Sequence, residues 1–138
     1  MSAENENGAP DQGLAALVAL LRFHGLGADP EQIRHSFGAK AIGVAEMLRC
    51  AKELGIKARA ARTRWDRLGK TPLPAIAALK DGGFLILGKV ADDKIVVQSP
   101  ALPGPTLMSR DELEAMWDSR IVLMARRAGY PISDGASM

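Results

Sequence analysis

The 138-residue chain is long enough for one compact domain with a buried core. Charged residues make up 25% and apolar residues 47%, an ordinary globular balance. A formal net charge of +2 with only 4% aromatics supplies neither the basic surface nor the stacking platforms of a nucleic-acid binder.

Residues 1–10 are small and polar and contain Gly8 and Pro10, so they read as a flexible arm. From Gly13 to His24 apolar residues crowd every face, the pattern of a buried central helix, which Gly25 and Gly27 stop. Its apolar run, Leu14 to Leu21, ends at Arg22, well short of the roughly 20 residues of a membrane span. It also lacks the basic region and cleavage site of a secretory signal. Asp29-Pro30-Glu31-Gln32 is a helix start with Asp29 as cap, and that helix ends near Gly38. A third helix from about Gly43 to Leu54 carries Val44, Met47, Leu48 and Ala51 on one stripe, and Gly55 closes it.

The period then changes. Ile56, Ala58 and Ala60 alternate with Lys57, Arg59 and Ala61, predicting a strand with one wet face. Lys57, Arg59, Arg62, Arg64 and Arg67 form a local basic cluster, read first as a solvated face and second as a docking surface for acidic protein or lipid. Trp65 to Leu68 is a helical turn, and Leu73 to Leu79 a strand in which Pro72 and Pro74 are tolerated only at its start or on an edge. Asp81-Gly82-Gly83 turns the chain into a strand from Phe84 to Val90, and Asp92-Asp93 turns it again into Ile95 to Gln98. A loop at 100–105 precedes a short strand at Thr106 to Met108. Ser109-Arg110-Asp111-Glu112 is a capping box for a helix ending near Trp117, and Ile121 to Ala125 is the last strand. The expected organisation is an arm at 1–10, one domain at 11–127 and a flexible tail at 128–138. Helices followed by a meander of strands and one late helix predict an α+β domain.

The single cysteine, Cys50, excludes an internal disulfide and fits a reducing compartment. Between Leu48 and Ala51 it reads as a small buried hydrophobe. His24 and His35 lack metal-ligand spacing with Cys50 or with a carboxylate pair, so no metal site is expected. No Gly-x-x-x-x-Gly-Lys-Ser/Thr loop occurs, which excludes a P-loop ATPase within this chain.

Asp11-Gln12-Gly13 followed by Leu-Ala-Ala-Leu resembles the Asp-Cys-Gly segment that opens the central helix of the bacteriocin-processing cysteine peptidases, the C39 family. Further landmarks keep the same order: Arg22-Phe23-His24-Gly25, Leu54-Gly55-Ile56-Lys57-Ala58, Leu73-Pro74-Ala75, Phe84-Leu85-Ile86-Leu87 and Glu112 to Trp117. The resemblance covers roughly residues 11 to 126 and implies a papain-like fold, with amino-terminal helices packed on an antiparallel sheet. Such domains stand at the amino terminus of ABC exporters, on the cytoplasmic side, and trim leader peptides after a double glycine.

The departures from the family pattern bear on function. By the resemblance the nucleophile position is Gln12, the histidine position Phe84 (or Gly83 with a slip of one), and the aspartate position Ser99; Glu6 stands about where an oxyanion-assisting glutamine is expected. An amide and a phenyl ring supply neither a nucleophile nor a proton shuttle. The resemblance therefore implies a degenerate, non-cleaving domain of the kind found in type I secretion exporters for RTX toxins and adhesins, which engages the unfolded substrate before export. Gln12, Phe23, Phe84 and Ser99 are the substrate-binding candidates. An aromatic found near Ala78 in some relatives is absent here. The expected partners are the unfolded secreted protein and the exporter's transmembrane and nucleotide-binding domains, at the cytoplasmic face of the bacterial inner membrane. This segment itself would not insert into the membrane or bind nucleic acid. No cofactor is expected in it, ATP and Mg belonging to the parent's ATPase domain, and the chain reads as the excised amino-terminal domain of such a parent. Two alternatives stay open: an unrelated enzyme using Cys50, and a module that docks onto the exporter's own domains through the basic strand.

Overall fold

The structure, a computed structural model, describes residues 12–36, 38, 41–99 and 104–126. The arm with Glu6, Asp11, residues 100–103 of the loop and the tail lie outside the described residues.

Helix α1 spans Gln12–Phe23. Gly13, Leu14, Ala16, Leu17, Val18, Leu20 and Leu21 are buried, and each large aliphatic side chain removed from water contributes roughly 1.5–3 kcal/mol. Burial is not all-round, as the apolar pattern suggested. Ala19, Arg22 and Phe23 are exposed, at the i, i+3, i+4 spacing that shares one helix face. Gly25 ends the helix in a left-handed conformation (φ 85°), with its own N–H donated to the Arg22 carbonyl and that of Leu26 to the Leu21 carbonyl, each at 2.9 Å. Helix α2 (Pro30–Ser36) starts on Asp29, whose Oδ1 accepts the Glu31 N–H at 3.0 Å. In helix α3 (Val44–Glu53) the Glu46 carboxylate accepts the Gly43 N–H at 2.9 Å, and Met47, Cys50 and Ala51 are buried.

The remaining elements are β1 (Ile56–Arg62), the helical turn α4 (Trp65–Leu68), β2 (Ala75–Leu79), β3 (Phe84–Ala91), β4 (Lys94–Gln98), β5 (Pro105–Ser109), α5 (Arg110–Met116) and β6 (Trp117–Arg126). The strands form one antiparallel sheet in the order β1-β6-β2-β3-β4-β5. Helices α1, α2 and α3 bury one face against Ile56, Ile76, Ala78, Phe84, Val122 and Met124. On the other face Trp65, Leu68, Leu113 and Trp117 cover Leu85, Leu87, Ile95 and Ile121. This is the expected α+β arrangement. The predicted box at α5 is present: Ser109 Oγ accepts the Glu112 N–H at 3.1 Å, and Glu112 Oε1 accepts the Ser109 N–H at 2.9 Å.

Three strands differ from the sequence reading. β6 begins at Trp117 rather than Ile121, because the strand continues through a bulge at Asp118-Ser119-Arg120. Ser119 has φ 74°, and the pairing with β2 shifts between Ala77↔Ile121 and Leu79↔Trp117. β1 does not have a single wet face, since Ala58 packs against the helical cluster and Ala61 against the opposite one, leaving Ala60 exposed. β2 starts at Ala75, so both prolines precede it, and its five residues are buried in mid-sheet.

Candidate functional site

Two features meet around α1. The first is the corner where its amino terminus reaches the start of β3. Gln12 Oε1 accepts the Phe84 backbone N–H at 3.2 Å. Phe84 is only 8% exposed and belongs to the core beneath α1. Gly13 has to be glycine because a Cβ there would run into the Ile42 carbonyl oxygen and approach Phe84 Cε2 to 3.3 Å. A Cβ on Gly83 would stand 2.5 Å from Gln12 Oε1, so either choice for the histidine position adjoins Gln12. The Asp81-Gly82-Gly83 turn holds this register, with the Gly83 N–H donated to Asp81 Oδ1 at 2.8 Å and the Leu79 N–H to the Gly83 carbonyl at 2.9 Å. Ser99 follows Gln98, which pairs with Ile86, and so lies at the end of the sheet where β3 begins. The structure thus brings Gln12 and Phe84 into contact and sets Ser99 at the same end.

Phe23 is elsewhere. Eleven residues along α1 place it about 16 Å from Gln12, and it is 63% exposed rather than part of the core. It borders the second feature, an apolar groove of about 290 Å³ between the carboxy-terminal half of α1 and strands β3, β4 and β5. Ala19 and Phe23 form one wall, and Ile86, Gly88, Val96 and Gln98 line the sheet side. Leu107, paired with Val96 across β4 and β5, is 58% exposed. The groove exists because the helices cover β1, β6, β2 and the start of β3 but leave the β4–β5 side of that face open. Its lining reaches Gln98, one residue short of Ser99. Val96, Leu107 and Ile86 were not among the sequence candidates. Their alternation signalled strands, and only strand order shows which apolar side chains lack a cover.

Cys50 is buried on α3, and desolvation first, then the negative charge of Glu53, push its thiol up from 9.0. A thiol held protonated in this way is a poor nucleophile. Among the described residues no group of three His, Cys, Asp or Glu side chains could hold a metal ion, and no helix is long and apolar enough to cross a membrane.

The family model described as "Peptidase C39 family" matches residues 2–129. The chain belongs to the peptidase C39 family. Among its C39 relatives, the cyclolysin secretion/processing ATP-binding protein CyaB of Bordetella pertussis is 40% identical over 119 residues. That match takes in 84% of this chain and 17% of CyaB, so the chain spans a small part of the relative's length. The N-terminal peptidase C39-like domain of the toxin secretion ATP-binding protein from Vibrio parahaemolyticus superposes with a TM-score of 0.76 at 21% identity, over 86% of this chain and 98% of that one. A double-glycine-motif protease from an AMS/PCAT transporter, solved in complex with its leader peptide, gives 0.76 at 19% identity over 84% of each chain. These likenesses show the C39 fold, the papain-like arrangement of helices on an antiparallel sheet.

Proposed function

We infer that this C39 domain has lost hydrolysis and engages an exported polypeptide on the cytoplasmic side of a type I secretion ABC exporter. The contact between Gln12 and Phe84 carries this reading. Thiol peptidase chemistry needs a thiolate, a histidine to take its proton and a group to orient that histidine. The corner where the family resemblance sets the first two holds an amide hydrogen-bonded to the backbone of a buried phenylalanine. Ser99 at the third position cannot supply a negative charge. Retained beside this corner is the groove along α1, whose apolar lining suits side chains of an unfolded segment. The secretion function in the relatives' names, and the leader peptide held by one structural neighbour, support polypeptide engagement by this fold. On this reading residues 11–127 are the working domain. It needs no cofactor of its own, ATP and Mg serving the ATPase domain of the parent exporter.

The reading is tested by incubating the chain with a double-glycine leader peptide and following the peptide by mass spectrometry. The peptide is expected to stay intact. Cleavage after the double glycine that persists in a Cys50→Ser variant would overturn the loss of hydrolysis at this corner. Cleavage that disappears in that variant would instead establish Cys50 as a nucleophile.

A further inference from the structure

The strongest unassigned feature is the β1 edge of the sheet. β1 ends the strand order and pairs with β6 alone, so every second residue directs its N–H and C=O away from the sheet. Lys57, Arg59, Arg62, Arg64 and Arg67 lie along and just beyond this edge, all exposed. The stretch 57–67 holds one carboxylate, Asp66, and that is 3.7 Å from Arg110 on α5. Arg62 reaches the Asp118 carbonyl at 3.4 Å. The side chains of Lys57, Arg59, Arg64 and Arg67 have no carboxylate partner among the described residues.

We propose that β1 is a docking edge for an acidic stretch of the exported polypeptide, which adds to the sheet as an extended strand. The proposal rests on the reading that the domain engages an exported chain, and it names the chemistry of one segment of that chain and a second place where it sits. Alanines at 58, 60 and 61 separate the cations and leave the backbone edge within reach of an incoming strand. By strand alternation Lys57 and Arg59 stand on one face and Arg62 on the other, so carboxylates on both faces of an added strand would meet a cation. A flat anionic membrane would engage one of these faces. A second copy of this chain pairing edge to edge would set cations against cations, which cross-strand pairing disfavours. The opposite edge, β5, offers Pro105, which has no N–H, and the apolar Leu107.

The test uses fluorescence anisotropy with two labelled peptides of about ten residues, long enough to pair along β1. One alternates Asp with Val; the other replaces each Asp with Ser. The acidic peptide is expected to bind more tightly by about tenfold, and the double variant Lys57→Glu, Arg59→Glu to remove that advantage. N-methylation of alternate peptide nitrogens should also abolish it, because strand addition needs those donors. Circular dichroism of the variant should match the parent, the changed side chains being exposed. Equal affinity for both peptides, or an N-methylated peptide that binds as well as its parent, would overturn the proposal. So would capture of the chain by phosphatidylglycerol vesicles with no preference for the acidic peptide. If the Ser peptide binds and weakens with Phe23→Ser while charge reversal on β1 changes nothing, this proposal fails and the function reading stands. If neither peptide binds, both fail.

Discussion

The two ends of α1 have opposite physical characters. At the amino-terminal end three groups are committed to the fold: Gln12 holds the backbone of Phe84, Phe84 sits in the core, and Gly13 lies under the Ile42 carbonyl. At the carboxy-terminal end Phe23 projects from the helix beside a groove with uncovered apolar walls. A peptidase requires the first end to be reactive. On the proposed reading this end serves as a structural joint, and the open end is the one that accepts a chain. The contrast separates stability from binding along a single helix, and substitutions at the two ends should separate them too.

The largest effect is expected at the closed end. Phe84→Ala removes a buried ring and should cost about 3 kcal/mol or more in chemical denaturation. A change below about 1 kcal/mol would mean that the corner is not part of the core. Next comes the open end. Phe23→Ser combined with Leu107→Ser should weaken binding of an unfolded polypeptide by about tenfold, near 1.4 kcal/mol, while stability moves by no more than about 0.5 kcal/mol per site. Loss of folding in this variant would remove the distinction between the two ends. Gln12→Ala deletes one hydrogen bond and should cost about 1 kcal/mol, with polypeptide affinity retained.

The smallest effect concerns the β6 bulge. Burial acts to raise the carboxyl pKa of Asp118, but hydrogen bonds and charge from Arg120, with a further contribution from Arg62, outweigh it and hold the pKa low. A depressed carboxyl stabilises the fold above its unfolded value, about 3.9, and loses that contribution as pH falls through the folded one. Thermal melts from pH 5 downward should therefore fall slightly more for the parent than for Asp118→Asn, and equal slopes would contradict the assignment.

Short-range features were legible in the sequence. The Gly25 stop, the Asp29 cap, the Ser109–Glu112 box and the turn at Asp81 all depend on residues a few positions apart, and all are present. What was hidden depends on distant neighbours. Asp118, Ser119 and Arg120 fell between the predicted helix and the last strand because the bulge is specified by pairing with β2, some 40 residues earlier in the chain. Phe23 and Phe84 looked equivalent as aromatic candidates, yet one is 63% and the other 8% exposed. That difference arises from which part of the sheet α1 covers, which no local pattern encodes. The groove was invisible for the same reason. It is made where helical cover runs out over β4 and β5.

On the proposed reading the open end of α1 receives an unfolded chain beside a corner that cannot cut it. The most direct test of that reading is amide shift mapping of the 15N-labelled chain titrated with a denatured exported polypeptide. Shifts are expected at Phe23, Gly88, Val96 and Leu107, extending past Gln98 to Ser99, Phe84 and Gln12 at the neighbouring corner, with the polypeptide intact at the end of the titration. Saturable binding that leaves all of these amides unmoved would contradict it.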